Sequence, residues 1–153
     1  MKRTTMTMLI AVCCIASSCA IANADNDKPI QVSELPAKAK TVLTQQFSNQ
    51  KVSLATIESG IIQKSYDVVL NNGTKIEFDR KGNVTEVDCK QGSVPEALIP
   101  QSIISHLKEN YPGQTVRKIE IDRNEYDVEL SNGLDITFNK SFKVIDIDCP
   151  MVS

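Results

Sequence analysis

Tryptophan is absent, histidine occurs once, and three tyrosines and four phenylalanines supply all the aromatic side chains. A serine or cysteine nucleophile usually needs a histidine base held by a third group. The single histidine, His106, falls at the edge of an apolar stripe, where it reads as an ordinary helix residue. Zinc needs several converging His, Cys or carboxylate ligands, and this chain offers a poor set. Six glycines are scattered through it, and none forms a phosphate-cradling loop. Catalysis is therefore not expected, and neither a metal site nor a cofactor is assigned. Long hydrophobic runs are missing as well: the longest, Met8–Ala16, is shorter than the roughly 20 residues of a spanning helix. Excess positive charge is also lacking, which argues against nucleic acid as a partner.

That run has a use at the N-terminus. Lys2 and Arg3 precede it and Ala22-Asn23-Ala24 follow it, the layout of a secretory signal with an A-x-A cleavage site. Residues 1–24 are expected to be removed, giving a periplasmic or secreted protein. A second reading attaches lipid at Cys19, after the small residues Ala16–Ser18. Loss of Lys2 and Arg3 changes 17 basic residues to 15 against 19 acidic ones, a net charge of −4.

The mature chain repeats itself. Tyr66–Cys89 and Tyr126–Cys149 align without a gap at an offset of 60, with identities that include Tyr66, Asp67, Val68, Leu70, Asn72, Gly73, Ile76, Phe78, Asp88 and Cys89. Upstream, Leu35–Val52 aligns with Ile99–Val116 at an offset of 64, so the first copy carries extra residues near Ser59–Ser65, read as a longer hairpin loop. Leu35, Ala39, Leu43 and Phe47, like Ile99, Ile103, Leu107 and Tyr111, recur every four residues as one face of an amphipathic helix. Pro36 and Pro100 suit the helix starts. Alternating runs then flank Asn72-Gly73 and Asn132-Gly133, a strong hairpin signal because both residue types tolerate positive φ.

The expected fold is α+β, with two tandem repeats, each an N-terminal helix packed on a four-stranded antiparallel sheet. The divisions are a 1–24 signal, a 25–34 lead, repeat 1 over 35–90, a 91–98 linker whose Pro95–Leu98 suits a short helical turn, and repeat 2 over 99–150. About 60 residues bury little surface alone, so two such units gain by sharing a core or extending one sheet.

The repeated "LP", amphipathic helix, "YDV.L.NG..I.F" and "V..VDC" pattern resembles the PepSY-like, beta-lactamase-inhibitor-like family of small secreted bacterial proteins, over Leu35–Cys149. The resemblance implies helix-plus-sheet modules forming a curved platform. It implies no catalytic residues, and fold alone does not fix function.

Cys89 and Cys149 hold equivalent places and admit two readings: a disulfide, as exported proteins often form, or two buried thiols. If Tyr66, Val68, Leu70, Ile76 and Phe78 face the helices, alternation turns Asp67 and Glu77 to the opposite face. In the second copy it turns Glu120, Asp122, Asp127, Glu129, Asp135, Asp146 and Asp148 the same way. Like charges on neighbouring strands repel, a cost that a cationic partner offsets. The expected role is non-enzymatic binding, through this acidic helix-free face, to an unidentified envelope or extracellular protein with a basic surface, inhibiting or modulating it. The alternative is binding of a small ligand or of a hard cation such as calcium.

Overall fold

A computed structural model describes residues 27–59 and 64–149. The expected signal with Cys19, residues 60–63 within the expected longer hairpin loop, and the chain after Cys149 lie outside the described residues. Strand β1 (Asp27–Pro29) precedes helix α1 (Ala37–Gln46) and strands β2 (Val52–Ser59), β3 (Lys64–Leu70), β4 (Lys75–Asp79) and β5 (Val84–Asp88). Helix α2 (Gln101–Asn110) then precedes β6 (Val116–Ile121), β7 (Glu125–Leu130), β8 (Asp135–Asn139) and β9 (Val144–Asp148). All nine strands form one antiparallel sheet in sequence order.

Both helices begin after a proline, Pro36 and Pro100, which act as N-caps. The four-residue stripes are buried as the periodicity predicts, Leu35, Ala39, Leu43 and Phe47 from the first and Ile99, Ile103 and Leu107 from the second, except that Tyr111 is only half-buried against the core. They meet the inward faces of the strands, where Val68, Ile76, Phe78, Val87, Ile119, Val128, Ile136 and Phe138 are essentially inaccessible. These side chains form one continuous core. Burying a Phe or Ile stabilises by roughly 1.5–3 kcal/mol, so this face holds the molecule together. His106 lies half-buried on α2, edge-on to Phe138 with ring centroids 5.4 Å apart.

The hairpin turns refine the expectation. Gly73 has φ 81° and Gly133 φ 83°, but neither preceding asparagine has positive φ. The Gly73 N–H donates to the Leu70 carbonyl and the Leu70 N–H to the Thr74 carbonyl, which makes a three-residue loop with one left-handed glycine. Asn72 and Asn132 act instead through their side chains, whose Oδ1 atoms accept the N–H of Thr74 and of Leu134, each at 3.1 Å.

Two features go beyond the expected plan. The lead segment contributes β1, paired with β2 from Asp27↔Glu58 to Pro29↔Thr56. Three residues ending in proline carry no alternation to read, and proline is admissible on an edge strand. The 91–98 segment does not separate two sheets, because β5 pairs directly with β6 through Glu86↔Glu120, Val87↔Ile119 and Asp88↔Lys118. Its Glu96–Leu98 forms the expected short turn, a 3-10 helix.

Candidate functional site

The strand register lines up side chains across the helix-free face. One row runs Thr56, Asp67, Glu77, Glu86, Glu120, Asp127, Thr137, Asp146 from β2 to β9. The adjacent row runs Val69, Lys75, Asp88, Lys118, Glu129, Asp135, Asp148 from β3 to β9. Every acidic residue singled out from the sequence within these strands therefore lies on one face. Glu86 and Asp88 join them; their signal was the same alternation, since Val87 and Cys89 point inward.

Over β3–β6 the charge is largely compensated within the sheet. Lys75 Nζ lies 2.6 Å from Glu77, Lys90 Nζ 2.6 Å from Asp88, and Lys118 Nζ 3.5 Å from Glu86 and 3.6 Å from Glu120. The hydrogen bond to Glu77 raises the Lys75 pKa. Burial works against charge on Lys118, but Glu86 and Glu120 hold its pKa above the ordinary value. Asp67 is not the fully exposed carboxylate that alternation alone implies. Burial first, and the Glu77 carboxylate second, push it up to about 6. Burial likewise raises Glu86, against the pull of Lys118.

Over β7–β9 the pattern changes. Among the described residues no salt bridge reaches Asp127, Glu129, Asp135, Asp146 or Asp148. Asp127 is held by the Thr137 hydroxyl, which donates to its Oδ1 at 2.5 Å. At the end of this region the β6–β7 hairpin brings Asp122, Glu125 and Asp127 together, with one carboxylate oxygen of each within 4.8 Å of the others. Glu125 was missed from the sequence because the alternating run was read from Tyr126, although it shares the parity of Asp127 and Glu129. Hard oxygen donors at this spacing suit a calcium ion, with water completing its 6–8 ligands.

The cysteines match the reading as thiols rather than as a disulfide, and only Cys89 is buried as that reading expected. Both are free thiols, Cys89 buried and Cys149 exposed. Cys89 follows β5 and Cys149 follows β9, four strands apart. At about 4.8 Å per strand that separation is near 19 Å, against the roughly 4.4–6.8 Å between Cα atoms that a disulfide spans. Burial pushes the Cys89 thiol pKa up. Ile147, which the repeat aligns with the buried Val87, is 46 % exposed, because β9 is the last strand of the sheet among the described residues.

Residues 64–146 match the family described as "Putative beta-lactamase-inhibitor-like, PepSY-like". Among solved structures, a "putative periplasmic protein" from Bacteroides vulgatus is 48% identical with a TM-score of 0.80, over 82% of this chain and 99% of that one. A "putative calcium-regulated periplasmic protein" from Bacteroides thetaiotaomicron is 50% identical with a TM-score of 0.79, over 82% and 99% of the two chains. A second Bacteroides vulgatus protein, described as a "putative periplasmic protein of unknown function", is 37% identical with a TM-score of 0.76, over 80% and 99%. A comparison with curated proteins gives no match.

Proposed function

This chain belongs to the PepSY-like, beta-lactamase-inhibitor-like family, and from that premise we propose that it is a periplasmic, non-enzymatic binding module that docks a cationic protein surface on β7–β9. The observation that carries this reading is the division of the acidic face. Its β3–β6 part is compensated by Lys75, Lys90 and Lys118, whereas Asp127, Glu129, Asp135, Asp146 and Asp148 have no cationic neighbour within salt-bridge distance among the described residues. Carboxylates on adjacent strands repel one another, and a basic partner relieves that cost while steering its own approach. Docking restrains or modulates the partner.

The reading includes export after loss of residues 1–24, which the periplasmic description of the structural relatives supports. It also includes descent from one duplicated unit, residues 35–90 and 99–150 joined by 91–98. The same order of one helix and four strands occurring twice supports that origin.

The test is affinity capture from a periplasmic extract with residues 25–153 as bait, beside an Asp127→Asn, Glu129→Gln, Asp135→Asn variant. A partner held by the wild type and lost by the variant supports the face. Equal recovery on both baits sinks it.

A second reading is favoured by the Asp122, Glu125 and Asp127 cluster together with the description of the Bacteroides thetaiotaomicron relative as calcium-regulated. In this reading the three carboxylates take calcium, which then tunes docking on the adjoining face. Calorimetric titration with calcium should show binding that Glu125→Gln weakens about tenfold or more. A titration that Glu125→Gln leaves unchanged removes this site.

A further inference from the structure

Among the described residues the outer edge of β9 lacks a partner strand, and the same molecule displays what fills the matching edge one module earlier. β5 and β9 stand in the same relation to the strand before them: Val87 pairs with Ile76 and Ile147 with Ile136, while Asp88 pairs with Lys75 and Asp148 with Asp135. On β5 the outer edge is taken by β6, which sets Ile119 against Val87, Lys118 against Asp88 and Glu120 against Glu86. The Lys118 ammonium also reaches Glu86 at 3.5 Å. Val87 is thereby fully buried.

β9 carries the same alternation of apolar and acidic residues, with no strand against its outer edge among the described residues. It is the terminal strand of the sheet among the described residues, so alternate backbone N–H and C=O groups along it lack a strand partner; the Ile147 N–H donates to its neighbour Asp146 Oδ1 at 3.0 Å, a bond that an incoming strand replaces. Ile145 is 55 % and Ile147 46 % exposed. Asp146 and Asp148 carry no salt bridge among the described residues.

We propose that the outer edge of β9 accepts an extended peptide segment with an aliphatic residue between two basic ones, added as a tenth antiparallel strand. Main-chain hydrogen bonds supply affinity, as in other strand additions, and side chains at alternate positions supply specificity. The aliphatic residue covers Ile147 as Ile119 covers Val87. One flanking cation faces Asp148 as Lys118 faces Asp88; the other stands where β6 has Glu120 and faces Asp146, which, unlike Glu86, has no lysine within salt-bridge distance among the described residues. The partner is a segment of another protein rather than a second copy, because an antiparallel β9–β9 pairing brings acidic strands together. This inference shares Asp146 and Asp148 with the docking-face reading and adds to it the backbone edge of β9 and Ile147.

The probe is a fluorescent peptide with the sequence of Thr115–Asp122 in which the position of Glu120 carries lysine, titrated by anisotropy into residues 25–153. Binding is expected, with amide shifts confined to β8 and β9. Ile147→Lys should weaken it at least tenfold with an unchanged circular dichroism spectrum, since Ile147 is exposed. A peptide with glutamate at the Lys118 position should bind poorly to the wild type and regain affinity for Asp148→Lys. The Asp127→Asn, Glu129→Gln, Asp135→Asn variant should keep the peptide within about threefold, so that loss of the docking face and loss of the edge are told apart.

The proposal is overturned by an absence of binding, which leaves Asp146 and Asp148 as guards against edge pairing, or by binding that Ile147→Lys leaves intact. A wild type that sediments as a dimer, with Ile147→Lys monomeric, assigns the edge to a second copy and overturns it equally.

Discussion

Asp67 lies opposite Glu77 on a half-buried part of the sheet, and its pKa rises from 3.8 to about 6. Between those pH values the folded state binds more protons than the unfolded chain, so stability falls as pH rises through that window. At neutral pH the ionised Asp67 is a net cost. Asp67→Asn should raise the thermal midpoint by a few degrees at pH 7, have little effect near pH 4, and flatten the pH dependence between. Calorimetry across that range checks it; a midpoint lowered at pH 7 refutes the burial argument. Gly82 poses a steric case. Its φ is 82° and an added Cβ meets Pro36 Cβ at 2.8 Å and the Ala39 nitrogen at 2.9 Å. Gly82→Ala should cost roughly 2 kcal/mol or more in urea unfolding. Phe142, sixty positions later, holds φ 59° with its ring stacked on Tyr126 at 5.6 Å. Phe142→Gly trades relief of backbone strain for loss of that stack, so its effect should be the smaller of the two. Alternation told which face Asp67 occupies, but its half-burial depends on neighbouring strands whose order no single segment encodes.

At the scale of elements, β5 and β9 have similar sequences and different surroundings. Val87 and Cys89 are buried, whereas Ile147 and Cys149 are exposed. The difference arises because β6 and the segment after Cys89 cover β5: the Cys89 N–H donates to the Arg117 carbonyl and the Val94 N–H to the Val116 carbonyl. Among the described residues β9 has no such cover. In residues 25–153 one thiol, Cys149, should react at once with an aromatic disulfide reagent and the other, Cys89, only on unfolding. Two fast thiols would contradict the burial of Cys89, and none would contradict both free thiols. Helix positions and hairpins were legible because four-residue and two-residue periodicities are local properties. Strand β1 was not, since Asp27–Pro29 is too short to show a period and exists as a strand only through its pairing with β2. Edge exposure was not legible either. A periodic apolar residue announces that a face is suited to cover, and the cover itself is tertiary.

Across the whole molecule two opposed effects are set side by side. The continuous core runs beneath both groups of strands and the β5–β6 seam passes hydrogen bonds between them, so the chain should unfold in one transition. Ile119→Ala, at a fully buried seam position, should cost about 2–5 kcal/mol and shift that single transition without splitting it. On the opposite face the carboxylates of β7–β9 repel one another with no lysine within salt-bridge distance among the described residues. Repulsion between exposed charges is screened by salt, the Debye length falling from about 30 Å at 0.01 M to about 8 Å at 0.15 M. Sodium chloride should therefore raise the melting temperature of the wild type. The Asp127→Asn, Glu129→Gln, Asp135→Asn variant should start higher at low salt, by a few degrees, and gain less from added salt. A specific divalent site makes a different forecast, because calcium at matched ionic strength would then stabilise more than sodium does, and Glu125→Gln would erase only that excess. A wild-type midpoint indifferent to salt would mean that the face is already neutralised. The energetic reason for a cationic partner would then be gone, even if one were found to bind.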